Sequence, residues 1–227
     1  IVIPDFSYLV ENKDRIVGVF LTHGHADAIG ALPYFLKEIE VPVFGSEMTI
    51  ALAKITVNDD PDLRKFKNFH VVDEKKEIDF GDVTVSFFKT THTIPDSLGI
   101  VLDCDEGRIV YTGDFKFDQT ATDGYATDFG RLAQIGTKKV IALLSDSANA
   151  ENFERPSNET EIAASIAEII KYHEGRVVVA SVASNILRIQ QVIDAAVQSG
   201  RKVVLTGHDL EKIVNTAIKL NKINIPD

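Results

Sequence analysis

The sequence predicts an α/β protein in two parts, and three observations predict it. Between residues 16 and 144, short β-branched runs alternate with hairpins and helical stretches. From about residue 157, helix and strand patterns alternate regularly, as in a parallel sheet with crossover helices. A polar stretch at 150–157 separates the two textures and divides the chain into parts 1–155 and 156–227.

Each element follows from its residues. An apolar lead and a polar turn around Glu11 to Asp14 precede a strand over 16–21. A helix is expected from Ala28 to about Glu40, then a short strand at 41–45 and a helix from Ser46, its N-cap, to about Lys54. An acidic loop at 58–62 leads to strands at 70–73 and 82–89. Residues 99–103 and 108–112 flank the Cys104-Asp-Glu-Gly107 turn as a β-hairpin, and 139–144 reads as a buried strand. The second part reads as helix 158–173, strand 176–181, helix 184–198, strand 201–206 and helix 209–220.

Composition bounds the function. With 227 residues, 44% hydrophobic and 26% charged, the chain has ample length for a core. No apolar run is long enough to span a bilayer, and no signal-peptide pattern opens the chain. The single cysteine, Cys104, excludes an intramolecular disulfide framework and fits a reducing compartment, so a cytoplasmic protein is expected. The net charge of −10 argues against a broad basic face for nucleic acid. A bound divalent cation can still supply positive charge locally where phosphate approaches. The chain opens at Ile1 without methionine and stops after Asn224-Ile-Pro-Asp227, which reads as part of something longer.

The chemistry concentrates at predicted strand ends. His23-Gly-His25-Ala-Asp27 follows the strand 16–21, His92 follows the strand 82–89, and Asp114 follows the hairpin's returning strand. Loops at one rim of a sheet converge in space although far apart in sequence. Three imidazoles and a carboxylate would hold one divalent ion, and a second ion would need further ligands with Asp114 as a bridge. Such a centre acidifies water and stabilises the charge that develops when a phosphodiester is attacked.

With these residues in place, the sequence resembles the metallo-β-lactamase fold, carried by His23-Gly-His-Ala-Asp27, His92 and Thr112-Gly-Asp114. Residues 21–34, 91–97 and 113–118, Leu144-Ser-Asp-Ser-Ala-Asn-Ala150, Val179-Ala-Ser-Val-Ala-Ser-Asn185 and Gln190-Gln-Val-Ile-Asp194 together resemble ribonuclease J with its inserted β-CASP domain. The resemblance implies a partial αββα sandwich, lacking its first strands, over 1–155 and the start of a β-CASP domain over 156–227. It implies a cytoplasmic enzyme that cuts RNA internally and degrades it from the 5′ end, in RNA maturation and decay, with up to two zinc or manganese ions. His23, His25 and His92 would form the first metal site, Asp114 the bridge, and Asp27 would belong to the second site. Asp146 would open the β-CASP acidic set, so the catalytic carboxylates would be Asp27, Asp114 and Asp146. Ser184 and Asn185 open a helix after a strand, where ordinary capping competes with binding of RNA phosphate, towards which the resemblance leans, and His208 is a weaker RNA-contact candidate.

Two departures stand out. Active members read H-x-H-x-D-H, whereas the last position here is Ala28, which has no donor atom; Ala26 stands where active relatives often carry Glu. Both resemble the second, low-activity Firmicute paralogue, which associates with a more active one. The resemblance thus implies a weakly active nuclease, or a non-catalytic subunit supporting an active paralogue, as a homodimer or hetero-oligomer. A hydrolase of small esters or thioesters on the same fold is a third possibility, which the β-CASP-like segment opposes. Other residues have plainer readings: His70 packs or is exposed, His173 ends a helix, Thr206-Gly207 lacks the rest of a phosphate loop, Asp118 and Asp123 are solvated turn residues, and Cys104 sits in a hairpin turn without a histidine partner.

Overall fold

In the computed structural model, residues 2–121, 124–152 and 158–225 are described. Among them the chain forms two stacked sheets with helices outside each. The first sheet is parallel, with β1 (Val19–Phe20), β2 (Val43–Gly45) and β3 (Phe69–Val71) in that order. The second runs β4 (Glu77–Asp79), β5 (Thr84–Lys89), β6 (Leu98–Cys104), β7 (Gly107–Tyr111) and β8 (Val140–Leu144). It is antiparallel except where β8 lies parallel to β7.

The period-2 alternation of side chains sets the layers. Phe20 and Phe44, stacked at 4.8 Å, meet Val85, Phe87, Leu98 and Ile100 between the sheets. Their neighbours point the other way. Val43 joins the helices α1 (Ser7–Glu11), α2 (Ala26–Ile29), α3 (Leu32–Glu38) and α4 (Glu47–Asn58), whereas Phe88 and Val101 pack under α5 (Phe129–Gly136) through Ile135. Four layers result, helix–sheet–sheet–helix. Gly99 lies opposite Phe88 in the β5–β6 register, and a Cβ there would fall 2.1 Å from the Phe88 ring. The ring fills the space that the missing side chain leaves.

Several expectations shift for physical reasons. The helix expected from Ala28 to Glu40 is two, because Pro33 has no N–H to donate and its ring would clash with the carbonyl four residues back. Pro33 instead sits in the first turn of α3, where a missing N–H costs little. The strand at 16–21 narrows to β1, although the Leu21 N–H still donates to Phe44 O at 2.8 Å. Strand β4 was not expected, since a single isoleucine between two acidic residues carries little signal.

The second part keeps its helices and loses its strands. Helix α6 (Glu159–Tyr172) is capped by the Asn158 side chain and α7 (Ile186–Gln198) by Asn185, and α8 (His208–Lys219) follows. The runs 176–181 and 201–206 form no strand ladder, and Val178 and Val204 are 85% and 86% exposed. A parallel strand needs a hydrogen-bonded neighbour and helices over its faces. Here α7 and α8 turn Ile186, Ile189, Ile193, Val214 and Ala217 into the core of α3 and α4 instead. Part of the polar boundary, residues 153–157, lies outside the described residues.

Candidate metal centre

The strand ends deliver the predicted residues to one place. His23 follows β1, His92 follows β5, Asp114 follows β7 and Asp146 follows β8. The ring centroids of His23, His25 and His92 are 4.8–5.0 Å apart. His23 Nε2 lies 3.6 Å from Asp27 Oδ2 and 3.8 Å from Asp114 Oδ2, and His92 Nε2 lies 3.9 Å from the same Asp114 oxygen. Two overlapping ligand groups result, His23–His25–His92 and His23–Asp27–Asp114, each with donor atoms within 4.8 Å of one another.

Their electrostatics fit a cation. His23 Nε2 and His92 Nε2 are buried without a hydrogen-bond partner, an arrangement that is costly unless something else satisfies them. Burial, and then the neighbouring imidazole, lower the pKa of His23 and of His25 to about 4; the His92 pKa is lowered by the same two causes. The rings are therefore neutral near pH 7 and free to donate lone pairs. Burial and the facing Asp27 carboxylate raise the Asp114 pKa, with Asp146 adding to the effect. A divalent ion relieves both strains, since it accepts the lone pairs and neutralises the crowded carboxylates. The residues present therefore fit such an ion.

Supporting contacts orient the ligands. Thr22 Oγ1 is 3.0 Å from His23 Nδ1, and Thr93 Oγ1 is 3.3 Å from His25 Nε2. Hydrogen bonds to the second ring nitrogen fix ring orientation in metal sites. Gly113 has φ +60°, and a Cβ there would lie 2.8 Å from the Thr22 side chain, so the Asp114 loop rests directly on the residue that orients His23. An isolated bridge pairs Thr91 with Lys116 and ties the His92 loop to the Asp114 loop. Thr22 and Thr93 were missed in the sequence; each adjoins a candidate ligand histidine, and that adjacency was the available signal.

The remaining predicted residues divide. Asp146 belongs to neither ligand group; its carboxylate accepts the Ala148 N–H at 2.8 Å and the Phe115 N–H at 3.5 Å, which steadies the loop that carries Asp114. Ala28 is half-buried against the helical core. Asn185 caps α7, whose Leu187 N–H donates to Thr93 O at 3.2 Å, so the helix start with buried Ser184 sits beside the His92 loop. His208 is exposed at the start of α8 and belongs to neither group.

Asp118 corrects the sequence reading. It is buried, not solvated: it accepts from Thr120 and from the Glu159 N–H at the head of α6, and it pairs with Lys116. Burial pushes its carboxyl up, but the hydrogen bonds from Thr120 and Glu159 outweigh this and leave it below the usual range. Lys116 also pairs with Glu159, which holds Arg188 and Gln191 of α7. Asp123 lies outside the described residues. His70 is exposed and stacks on Phe44, and the Cys104 thiol donates to Gly107 O within its turn.

Comparison with known proteins agrees with this geometry. The metallo-beta-lactamase superfamily model matches residues 5–151, and a model described as ribonuclease J, beta-CASP domain, matches 174–227. The chain is 57% identical over 227 residues to ribonuclease J 2 of Streptococcus pyogenes serotype M3, covering 100% of this chain and 41% of that protein. It is 44% identical over 227 residues to ribonuclease J2 of Bacillus subtilis, again covering 100% of this chain and 41% of the relative. The chain thus spans about two fifths of the length of these curated relatives. A protein of unknown function from Enterococcus faecalis V583 shares the fold, with a TM-score of 0.65 at 17% identity over 92% of this chain and 50% of that one. The β-CASP match stands against the small-ester reading. Among the described residues, no helix is long and apolar enough to cross a membrane.

Proposed function

Because this chain belongs to the ribonuclease J family of the metallo-β-lactamase superfamily, we propose that it is part of a metal-dependent RNA phosphodiester hydrolase whose activity is weak. In this reading it acts in the cytoplasm on RNA, as an endonuclease and 5′–3′ exonuclease, with zinc or manganese. The division into a catalytic part, 1–155, and the start of a β-CASP part, 156–227, belongs to the same reading. One observation carries it: the buried, unpartnered Nε2 atoms of His23 and His92 flank a shared Asp114 oxygen.

When bound, divalent ions supply Lewis acidity toward the phosphate and acidify a water. His23, His25 and His92 would hold one ion, and Asp27 and Asp114 would contribute to a second. Thr22 and Thr93 hold the rings in place, and Asp146 steadies the Asp114 loop through the Phe115 N–H. Ser184 and Asn185, beside the His92 loop, would meet RNA phosphate, with His208 a weaker contact farther along the same part.

Ala28 favours a second reading, that of an essentially non-catalytic subunit that supports an active paralogue, as homodimer or hetero-oligomer. Without an imidazole at 28, the second ion has fewer ligands and binds more weakly. Elemental analysis of the purified protein, beside hydrolysis of a 5′-monophosphorylated RNA with manganese, separates the two. Near two metals per chain with turnover supports the nuclease; no metal and no turnover supports the subunit. Ala28→His should raise both metal content and turnover, and no gain in either would place further defects beyond this position.

A further inference from the structure

Just past Asp114 the chain carries Phe115-Lys-Phe117, and these rings do not enter the core. Phe115 and Phe117 have centroids 5.1 Å apart, and Phe117 and Phe129 are 5.5 Å apart. Phe117 is 62% exposed and Phe129 46%. A single exposed apolar residue is ordinary. Three phenylalanines linked in a row through Phe117, beginning one residue after a candidate bridging carboxylate, form a surface.

The local backbone explains how they are presented. Lys116 pairs with Thr91 in a strand-like bridge and turns its ammonium inward to Asp118 and Glu159. In extended backbone, side chains alternate between faces, so Phe115 and Phe117 share the face opposite Lys116. The Phe115 N–H is held by Asp146, which fixes the pair relative to Asp114.

Charge then narrows the ligand. The chain carries −10 overall, so its net field repels a polyanion. Stacking of a nucleobase on an aromatic face owes little to net charge and tolerates any base, because every base has a π-face. We propose that Phe117, backed by Phe115 and Phe129, is the stacking platform for an unpaired nucleobase of the RNA strand whose phosphate lies at the His–Asp centre. This assignment rests on the RNA reading above and adds to it a binding subsite on the substrate side of Asp114.

The test uses a 2′-O-methylated heptauridylate, which resists hydrolysis, and an abasic ribose-phosphate oligomer of equal length, both 3′-labelled and titrated with manganese present. Anisotropy should show Phe117→Ala binding the base-bearing oligomer roughly 5- to 100-fold more weakly than the parent, with abasic binding unchanged. The sequence contains no tryptophan, so Phe117→Trp gives an indole signal from position 117 alone. That variant should keep its affinity, and its emission should be quenched by the base-bearing oligomer and not by the abasic one. Equal affinity of parent and Phe117→Ala, with unquenched indole, overturns the platform and leaves the RNA reading standing. A parent that binds neither oligomer overturns the RNA reading and the platform together. Indole emission that tracks protein concentration without RNA, with Phe117→Ala sedimenting as a smaller species, makes the patch a contact between copies and overturns the platform.

Discussion

At the scale of single residues, the histidines of the centre make the metal-free protein sensitive to acid. Burial lowers His23 and His25 to about 4 from an ordinary 6.5, and His92 shifts the same way. Between those values the unfolded chain binds more protons than the folded one, so stability falls as pH drops from 6.5 towards 4. Asp114, held above its ordinary value, acts in the opposite sense, and its effect begins only near the carboxylate range. Urea denaturation of the metal-free protein at pH 7 and pH 5 should show a loss that His23→Asn reduces; an equal loss in both would remove the buried imidazole as its source. The convergence of His23, His25, His92 and Asp114 on one place was legible because all of them follow strand-like runs. Asp118 was not legible. Its decisive partner, the Glu159 N–H, lies 41 residues onward, and an aspartate among polar neighbours reads as a solvated turn when that distance is invisible.

At the scale of elements, the β5–β6 pairing depends on an absence. Phe88 occupies the space above Gly99, and a methyl group there would meet the ring at 2.1 Å. Gly99→Ala should cost roughly 1–3 kcal/mol through overpacking, read as a lower urea midpoint with an unchanged slope. An unaltered midpoint would mean that Phe88 has another rotamer available. Helices α6 and α7 were readable from their capping asparagines and apolar spacing, and α4 from its apolar spacing, because those signals are local. The strands expected at 176–181 and 201–206 were not settled by their valines. A strand depends on the neighbour it pairs with, and no β-branched run specifies its neighbour. The break between α2 and α3 was readable at Pro33 had the missing N–H been weighed against helical spacing.

For the whole molecule, two properties oppose each other. β8, expected to be buried, instead exposes Val140, Ile141, Leu143 and Leu144 at the sheet edge, and Val178 and Val204 are exposed outside any strand. An apolar edge strand is a template for association, while a net charge of −10 keeps copies apart. Salt shortens the screening length from about 10 Å at 0.1 M to about 3 Å at 1 M. Self-association of this chain should therefore rise with ionic strength. Sedimentation velocity at low and high sodium chloride checks this, and an average mass that stays flat or falls would mean that charge is not what holds the copies apart.

The contact of Gly113 with Thr22 has a consequence for how the centre can change. Through it the loop of the shared carboxylate and the ring of His23 are set by one another, so neither drifts without the other. Position 28 sits outside this linkage, on a short helix packed against the core. A change of side chain at 28 therefore leaves the Asp114 loop and the His23 ring fixed on one another.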